Sequence, residues 1–377
     1  MKRRIASHYA LINGKLERHV VITTDEAGTI LGIEQPEALD SCEGVEFYPG
    51  IIIAGMVNAH CHLELSYLAG AIAEGEGFAG FAREIGRVRG NYSNEERVHA
   101  ADIADALMWE EGIEAVANIA NDELVMGVKR ASKIRYITLF EHFGLNNIST
   151  DNIFAMADRC GGYATPHSTY SVQDSPFKQL CQHATQPLLS IHFLESPAEK
   201  ELFEGRGSLA EWYKRMGWEC DFLHYGSPAK RIAHSLPAGG RVLLVHCTEA
   251  TPEDVTTIEE HLKEGVTWVL CPESNRYISD ITPPVAMLRE MGCRIAIGTD
   301  SRASARHLSM VDNMRMLGNI SLEELLTWAT LNGAEALGLE AKLGSIEIGK
   351  RPGLVLIEGV DLQNMRLTEE SKSRRIL

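Results

Sequence analysis

Residues 51–62 read IIIAGMVNAHCH, and this stretch decides the fold. An apolar run of strand length ends in two histidines that are two residues apart. Side chains alternate between the two faces of an extended backbone, so His60 and His62 point the same way. Two imidazoles on one face can share one metal ion. The stretch therefore predicts a buried strand, residues 51–59, that carries a metal-binding pair at its carboxyl end.

Seven further apolar runs of strand length follow, and amphipathic stretches with helical spacing lie between them. Strands that alternate with helices indicate a parallel sheet with helical crossovers. Eight such units match the usual size of a closed barrel, so the predicted fold is α/β, a (β/α)₈ TIM-like barrel. The predicted strands are residues 51–59, 113–119, 134–140, 162–166, 188–191, 241–245, 267–270 and 294–298, and the clearest helices are 95–110, 252–263 and 322–337.

The two ends of the chain fall outside this repeat. Residues 1–50 contain short strand-like runs, and 343–357 have the pattern of two strands joined by a Gly-Lys-Arg-Pro-Gly turn. We predict a barrel over residues 51–340 and a small β-sandwich subdomain formed from both termini, residues 1–50 and 341–377. The polar end, residues 368–377, is expected to fray.

Polar residues end most of the predicted barrel strands, where the active site of such a barrel lies. Taken singly, each histidine has an ordinary structural explanation, and Gly-Thr-Asp at 298–300 could be a turn or helix cap. Their regular placement at strand ends favours a shared site. The residues in question are His60 and His62 after the first strand, His167 after the fourth, His192 and Glu195 after the fifth, His246 after the sixth and Asp300 after the eighth.

Composition narrows the functional classes. The 377 residues include 45% hydrophobic and 23% charged residues, which is ordinary for a globular protein. The formal charge of −16 argues against binding to nucleic acid or to an anionic membrane surface. No apolar signal region or membrane span is evident, and the eight cysteines form no CxxC pair, so a reducing cytoplasm is the expected location.

Six motifs occur in an order that resembles the amidohydrolase superfamily, specifically its cytosine/adenosine/guanine deaminase branch. The closing LGSIEIGKRPG at 343–353 fits the same resemblance, and CHLELS and GFAGFAR resemble the aminodeoxyfutalosine deaminase group. The six motifs are NAHCHLE at 58–64, PHSTYSV at 166–172, HFLES at 192–196, VHCT at 245–248, CPESN at 271–275 and GTDS at 298–301.

The resemblance implies one divalent metal ion held by His60, His62, His192 and Asp300. Zinc is the first candidate, and iron or manganese suits the same nitrogen and oxygen ligands. Such an ion lowers the pKa of its water toward about 7, so that a hydroxide can attack the substrate. Glu195 would carry the water proton to the ring and the leaving amine, His246 would hydrogen-bond the nucleophile, and Asp300 would also orient it.

One absence indicates a single ion. Binuclear amidohydrolases use a carboxylated lysine at the end of the fourth strand, but here residues 161–167 read GGYATPH. The resemblance therefore makes His167 a substrate contact. One ion favours deamination over binuclear amide or phosphoester hydrolysis without excluding them.

Substrate selection is less clear from the sequence. Arg83, Glu84 and Arg87 lie on the segment that covers the pocket in similar enzymes, where they could contact a carboxylate or sugar hydroxyls, or simply form a solvated helix face. Glu141 ends the third strand and would face the barrel mouth. Arg276 stands where relatives commonly have an apolar residue, so the sequence departs from the family pattern at this position.

The predicted function is hydrolytic deamination of an aminopurine-like heterocycle or nucleoside, with aminodeoxyfutalosine as first candidate. The alternatives are methylthioadenosine/S-adenosylhomocysteine, guanine or triazine hydrolysis and, least favoured, a metabolite-binding barrel without catalysis. The sequence leaves the oligomeric state open, with a homodimer as one option.

Overall fold

The computed structural model describes residues 2–39, 43–183 and 187–377. Strands and helices alternate through the middle of the chain, whereas strands predominate at both ends. The strands are β1 (Arg3–Ile12), β2 (Lys15–Glu17), β3 (Val21–Thr24), β4 (Ile30–Glu34), β5 (Val45–Ala54), β6 (Met56–Cys61), β7 (Ile113–Ala120), β8 (Arg135–His142), β9 (Tyr163–Pro166), β10 (Leu189–Phe193), β11 (Val242–His246), β12 (Val266–Leu270), β13 (Ile295–Ile297), β14 (Leu354–Glu358) and β15 (Lys372–Arg375).

Most helices connect consecutive barrel strands, and short 3₁₀ turns occur at Leu63–Leu68, Arg89–Asn91, Leu223–Tyr225 and Lys263–Gly265. Within the described ranges, none of the helices has both the length and the apolar character that crossing a bilayer requires. The helices are α1 (Gly77–Val88), α2 (Asn94–Glu110), α3 (Met126–Ala131), α4 (Asp151–Cys160), α5 (Asp174–Gln182), α6 (Pro197–Phe203), α7 (Gly207–Met216), α8 (Pro228–Ser235), α9 (Pro252–Leu262), α10 (Pro272–Ser279), α11 (Val285–Glu290), α12 (Met310–Met316), α13 (Leu322–Ala329) and α14 (Leu331–Leu337).

Eight parallel strands form the barrel as two four-stranded halves, β6-β7-β8-β9 and β10-β11-β12-β13. The halves meet at two seams. At one seam the His192 N–H donates to the His167 carbonyl over 2.9 Å, and at the other the Asp300 N–H donates to the His60 carbonyl over 3.0 Å. Both seams lie at the carboxyl ends of the strands, so residues of the predicted site also join the two halves. The predicted α/β barrel fold is confirmed.

Local sequence explains where the barrel helices begin and end. Helix α2 begins with a capping box in which Ser93 and Glu96 bond each other's backbone N–H groups, and α9 begins with the same arrangement of Thr251 and Asp254. The predicted helix 322–337 is instead two helices, because Thr330 has φ −124° and ψ −85° and interrupts the helical backbone.

The predicted single strand 51–59 is wrong, because Gly55 divides it between two sheets. β5 before Gly55 belongs to the terminal sheet, and β6 after it is the first barrel strand. The Gly55 N–H donates to the Pro352 carbonyl over 3.0 Å, and a Cβ at residue 55 would lie 2.1 Å from Glu114 Cγ. Only glycine allows the chain to pass this close to its neighbours while it changes sheet.

The two ends of the chain form one seven-stranded sheet of order β15-β14-β5-β1-β3-β4, with β2 paired to β1. β5 runs parallel to β1 and antiparallel to β14, so it joins the N-terminal and C-terminal strands. β5 also crosses residue 50, where we placed the start of the barrel. The division at residues 50 and 340 stays a prediction.

Two predictions for the C-terminal region are wrong. Residues 343–357 contain one strand, β14, whose antiparallel partners are β5 and β15 and not a neighbouring segment. The end of the chain is also anchored where we expected fraying. The Arg375 guanidinium lies over the Trp109 ring at 3.3 Å from its centroid, pairs with Glu114 and donates to the Ile113 carbonyl over 2.9 Å. These long-range partners order a strand that is polar in sequence.

Candidate metal and active site

Eight of the predicted site residues lie at one end of the barrel because parallel strands present their carboxyl ends on the same side. Four of these eight are within strands, and the other four follow a strand within three residues. His60 lies in β6, His62 directly follows it, Glu141 lies in β8, His167 follows β9, His192 lies in β10, Glu195 follows it, His246 ends β11 and Asp300 follows β13.

Three imidazoles and one carboxylate converge on a single point. His60, His62 and His192 each offer a ring nitrogen, and these atoms lie within 4.8 Å of one another. The Nε2 atoms of His62 and His192 are 3.3 Å apart, and Asp300 Oδ1 lies 3.6 Å from His60 Nε2 and 3.5 Å from His62 Nε2. Two ligands bound tetrahedrally at about 2.0–2.1 Å from zinc lie about 3.3–3.4 Å apart. The spacing of the three imidazoles therefore fits ligands of one ion, and Asp300 Oδ1 lies within reach of the same ion beside His60 and His62.

His60 gives independent support for a cation at this point. Its side chain is fully buried, and neither ring nitrogen has a hydrogen-bond partner among the described residues. Burying an unsatisfied polar group is costly, and a metal ion would satisfy one of these nitrogens. Burial lowers the pKa of the His60 imidazole to about 4, which leaves it neutral and able to ligate.

The electrostatics of Asp300 agree with a ligand role. Burial acts to raise the pKa of the Asp300 carboxyl, but the facing imidazoles of His60 and His62 hold it well below its ordinary value. The carboxylate is therefore charged. Ser274 and Ser304 donate hydroxyl hydrogen bonds to its Oδ2 over 2.5 and 2.8 Å, which leaves Oδ1 directed at the histidines.

The backbone also constrains the ligands. His192 Nδ1 donates to the His167 carbonyl over 2.9 Å, so the proton lies on Nδ1 and Nε2 is free to ligate. Leu194, His246 and Asp300 have φ values of +49°, +76° and +57°, which non-glycine residues rarely adopt. Strained residues of this kind concentrate at functional sites, where the surrounding structure holds them in place.

Glu195 and His246 lie next to each other beside the histidine cluster. Glu195 Oε1 lies 3.7 Å from His246 Nε2, and only 13% of the Glu195 side chain is exposed. Burial raises the pKa of Glu195 to about 7. His246 Nδ1 donates to Asn275 Oδ1 over 2.8 Å, so its Nε2 faces Glu195 as an acceptor. A carboxyl group that titrates near neutrality can both accept and donate a proton.

Glu141 and His167 form a second polar group next to His192, with ligand atoms within 4.8 Å. Glu141 Oε1 accepts from Asn121 over 2.7 Å, whereas Oε2 is buried and has no partner among the described residues. His167 Nδ1 lies 2.8 Å from Ser171 Oγ. The half-exposed Phe143 ring packs edge-on against His167 at 5.0 Å. Glu141 and His167 can hydrogen-bond polar atoms of a ligand that packs against the Phe143 ring.

Arg83, Glu84 and Arg87 lie on α1, and the two arginine side chains are exposed, unlike the buried histidine cluster. The side chains of Arg83 and Arg87 are 70% and 64% exposed, and both guanidinium groups pair with Glu84. The contact of Phe78 with Tyr170, which in turn packs against His167, brings the start of α1 near the barrel mouth.

Our sequence reasoning missed the residues that hold the ligands in place. Ser274 and Asn275 follow β12 within the CPESN motif, and the strand-end rule that found His246 could have found them. Asn118 is the one polar residue among residues 115–120 of β7, between Ala117 and Ile119, and this break in the apolar pattern was its signal.

Comparisons with known proteins agree with this fold. A model of the Amidohydrolase family matches residues 51–376. The chain belongs to the amidohydrolase family. The 5-methylthioadenosine/S-adenosylhomocysteine deaminase of Teredinibacter turnerae is 26% identical over 346 residues, which cover 83% of this chain and 73% of the relative.

Two solved structures share the fold at low sequence identity. Helicobacter pylori aminofutalosine deaminase, in complex with methylthio-coformycin, superposes with a TM-score of 0.82 at 23% identity and full coverage of both chains. A zinc-bound adenosine deaminase from Xanthomonas campestris has a TM-score of 0.76 at 22% identity, covering 97% of this chain and 86% of that one. The predicted family resemblance, the barrel and the enzyme class, a deaminase that hydrolyses carbon–nitrogen bonds, are confirmed.

Proposed function

We propose that this amidohydrolase removes the amino group of an adenine-type ring in a nucleoside and releases it as ammonia. The observation that carries the proposal is the convergence of four buried ligands beside the Glu195–His246 pair. Relatives named as deaminases of methylthioadenosine, S-adenosylhomocysteine and adenosine support the aminopurine ring. An aminodeoxyfutalosine-type nucleoside is our first candidate, in line with the similar H. pylori fold.

His60, His62, His192 and Asp300 would hold one divalent ion. Three imidazoles and one carboxylate suit zinc, iron or manganese, and zinc is our first choice. A bound zinc ion in the X. campestris relative agrees with this choice. When bound, such an ion acidifies a water molecule and so supplies the nucleophile at neutral pH.

Glu195 is the proton carrier in this proposal. Its carboxylate takes a proton from the attacking water and delivers it to the ring nitrogen next to the reacting carbon. Glu195 then moves the remaining proton from the newly added hydroxyl to the amino group, the carbon–nitrogen bond breaks, and the products are ammonia and the ring carbonyl. The raised pKa of Glu195, about 7, suits both transfers. His246 Nε2 accepts a hydrogen bond from the nucleophile and orients it.

The substrate would lie between the metal ligands and the barrel mouth. Glu141 Oε2 is a buried acceptor without a described partner, so it is placed to take a hydrogen bond from a substrate hydroxyl or amino group. His167 would contact the ring. Arg83, Glu84 and Arg87 on α1 would contact the outer part of the nucleoside.

An ammonia-release screen tests this proposal. The zinc-loaded and chelator-treated enzyme would be assayed with adenosine, methylthioadenosine, S-adenosylhomocysteine, aminodeoxyfutalosine, guanine, a triazine and cytosine. We expect turnover of one or more adenine nucleosides by the loaded enzyme only, with one metal ion per chain. Two ions per chain, or turnover of none of the four adenine nucleosides, would refute it. A homodimer and a cytoplasmic location stay predictions.

A further inference from the structure

A buried polar network lies directly beneath the turn that carries His62. Asn118 on β7 pairs in register with Cys61, and its Oδ1 accepts a hydrogen bond from the Leu63 N–H over 3.0 Å. Its Nδ2 donates to the Glu64 carboxylate over 2.8 Å. Lys129 on α3 donates to the same carboxylate over 2.5 Å. The network thus ties the residues before and after His62 to a neighbouring strand and helix.

The network is isolated from solvent. Asn118 is fully buried, and the side chains of Glu64 and Lys129 are only 3% and 2% exposed. A buried ion pair gives little net stability, because the cost of desolvating both charges offsets their attraction, and well-packed apolar residues serve as well or better. Stability alone therefore gives no reason for this arrangement. Directional hydrogen bonds do fix geometry, and the bonds to Leu63 and Glu64 both involve the side-chain amide of Asn118.

His62 is held from both sides. Its own N–H donates to the Asp300 carbonyl over 3.3 Å, and the next N–H, that of Leu63, is held by Asn118. The Asp300 contact joins His62 to another predicted ligand across the barrel seam. The Asn118 contact is what sets the direction of the chain as it leaves β6, and hence where the imidazole points.

We propose that Asn118, oriented by the Glu64–Lys129 ion pair, is a positioning residue that fixes His62 as a metal ligand. The proposal rests on the metal role of His62 proposed above. Outer-shell partners of metal ligands typically contribute about 10–100-fold to metal affinity. Here the outer shell acts through the backbone, because Asn118 bonds the Leu63 amide and not the imidazole.

Two double variants that differ at one side chain test the proposal. Glu64→Gln with Lys129→Met removes both charges but keeps an oxygen to accept from Asn118. Glu64→Leu with Lys129→Met has similar bulk and leaves Asn118 Nδ2 without its acceptor. Zinc affinity would be measured by chelator competition on the metal-free proteins, and the cobalt-substituted proteins would be compared by their visible absorption spectra.

We expect the Gln/Met protein to bind zinc within about threefold of wild type and the Leu/Met protein about tenfold more weakly, with an altered cobalt spectrum. Asn118→Leu should weaken zinc binding by about 10–100-fold. Asn332→Leu is the matched control, since Asn332 donates to the Ile295 carbonyl at the opposite end of β13. It should leave zinc affinity unchanged.

Equal zinc affinity of the two double variants would overturn the positioning role, even if Asn118→Leu fails to fold. A wild-type protein that binds no zinc, iron or manganese would instead refute the proposed metal site itself. The two failures are therefore distinguishable.

Discussion

Charged side chains assigned to the site lie in two different surroundings, the ends of the barrel strands and helix α1. At the strand ends, Asp300 is 6% exposed, and each of its carboxylate oxygens faces a defined partner. On α1, Arg83 and Arg87 are mostly exposed and share the single carboxylate of Glu84. The first region is held by its surroundings, whereas the second is held mainly by its own helix.

This difference indicates how each region can contribute. A buried, fully oriented group keeps its geometry and acts in a medium of low dielectric, so it can contribute to the chemical step. An exposed ion pair is screened by water, so it contributes little free energy toward holding its side chains in one position. We therefore expect strand-end substitutions to change turnover, metal content or folding, and α1 substitutions to change only apparent substrate affinity.

Glu195→Gln should give the largest effect. It preserves the size of the side chain and all four metal ligands but removes the proton carrier, so kcat should fall by about 10²–10⁴-fold. Bound metal, measured by atomic emission, should stay at the wild-type level. A near-normal kcat would show that the proton moves by another route, and lost metal would place Glu195 among the ligands.

His192→Ala should reduce metal content. His192 Nε2 lies 3.3 Å from His62 Nε2, and its Nδ1 is already committed to the His167 carbonyl. We expect metal affinity to fall by more than the roughly 100-fold upper range for outer-shell residues, and turnover to fall with it. His261→Ala is a suitable control, because that imidazole bonds the Leu236 carbonyl outside the site. Unchanged metal content in His192→Ala would remove it from the ligand set.

Strand ends were also the part of the site that the sequence predicted well. His60, His62, His192, His246 and Asp300 are each attached to an apolar run, so the position of each follows from the barrel rule alone. The orientation of these side chains depends on partners that are distant in sequence, such as Ser274 for Asp300 and the His167 carbonyl for His192, and short-range patterns do not contain that information.

The errors in the fold have the same origin. Gly55 interrupts a run that is apolar on both sides, and only the nearby backbone of Pro352 indicates that the chain changes sheets there. β15 reads Lys-Ser-Arg-Arg and has no strand pattern of its own. Its order depends on β14, Trp109 and Glu114, which are contacts that no local window includes.

Lys129→Met tests how much burial increases the cost, in unfolding free energy, of breaking the Glu64–Lys129 ion pair. It leaves the Glu64 carboxylate, 3% exposed, without its ammonium partner. Removal of one member of a buried ion pair typically costs about 3–5 kcal/mol in unfolding free energy. The Glu64→Gln, Lys129→Met double variant should recover most of this loss, as measured by urea unfolding. A loss below about 1 kcal/mol would mean that water reaches Glu64 and that this pair resembles an exposed one.

Arg83→Ala and Arg87→Ala should give the smallest effects. Each arginine is an exposed partner of Glu84, and exposed pairs contribute about 0.2–1 kcal/mol. If the guanidinium groups contact the outer part of the substrate, KM should rise by less than about fivefold with kcat unchanged. Arg89→Ala, an exposed arginine on the adjoining 3₁₀ turn, should change neither constant. A tenfold fall in kcat for either α1 variant would contradict the division drawn above, because it would mean that this exposed helix closes over the substrate and takes part in the chemical step.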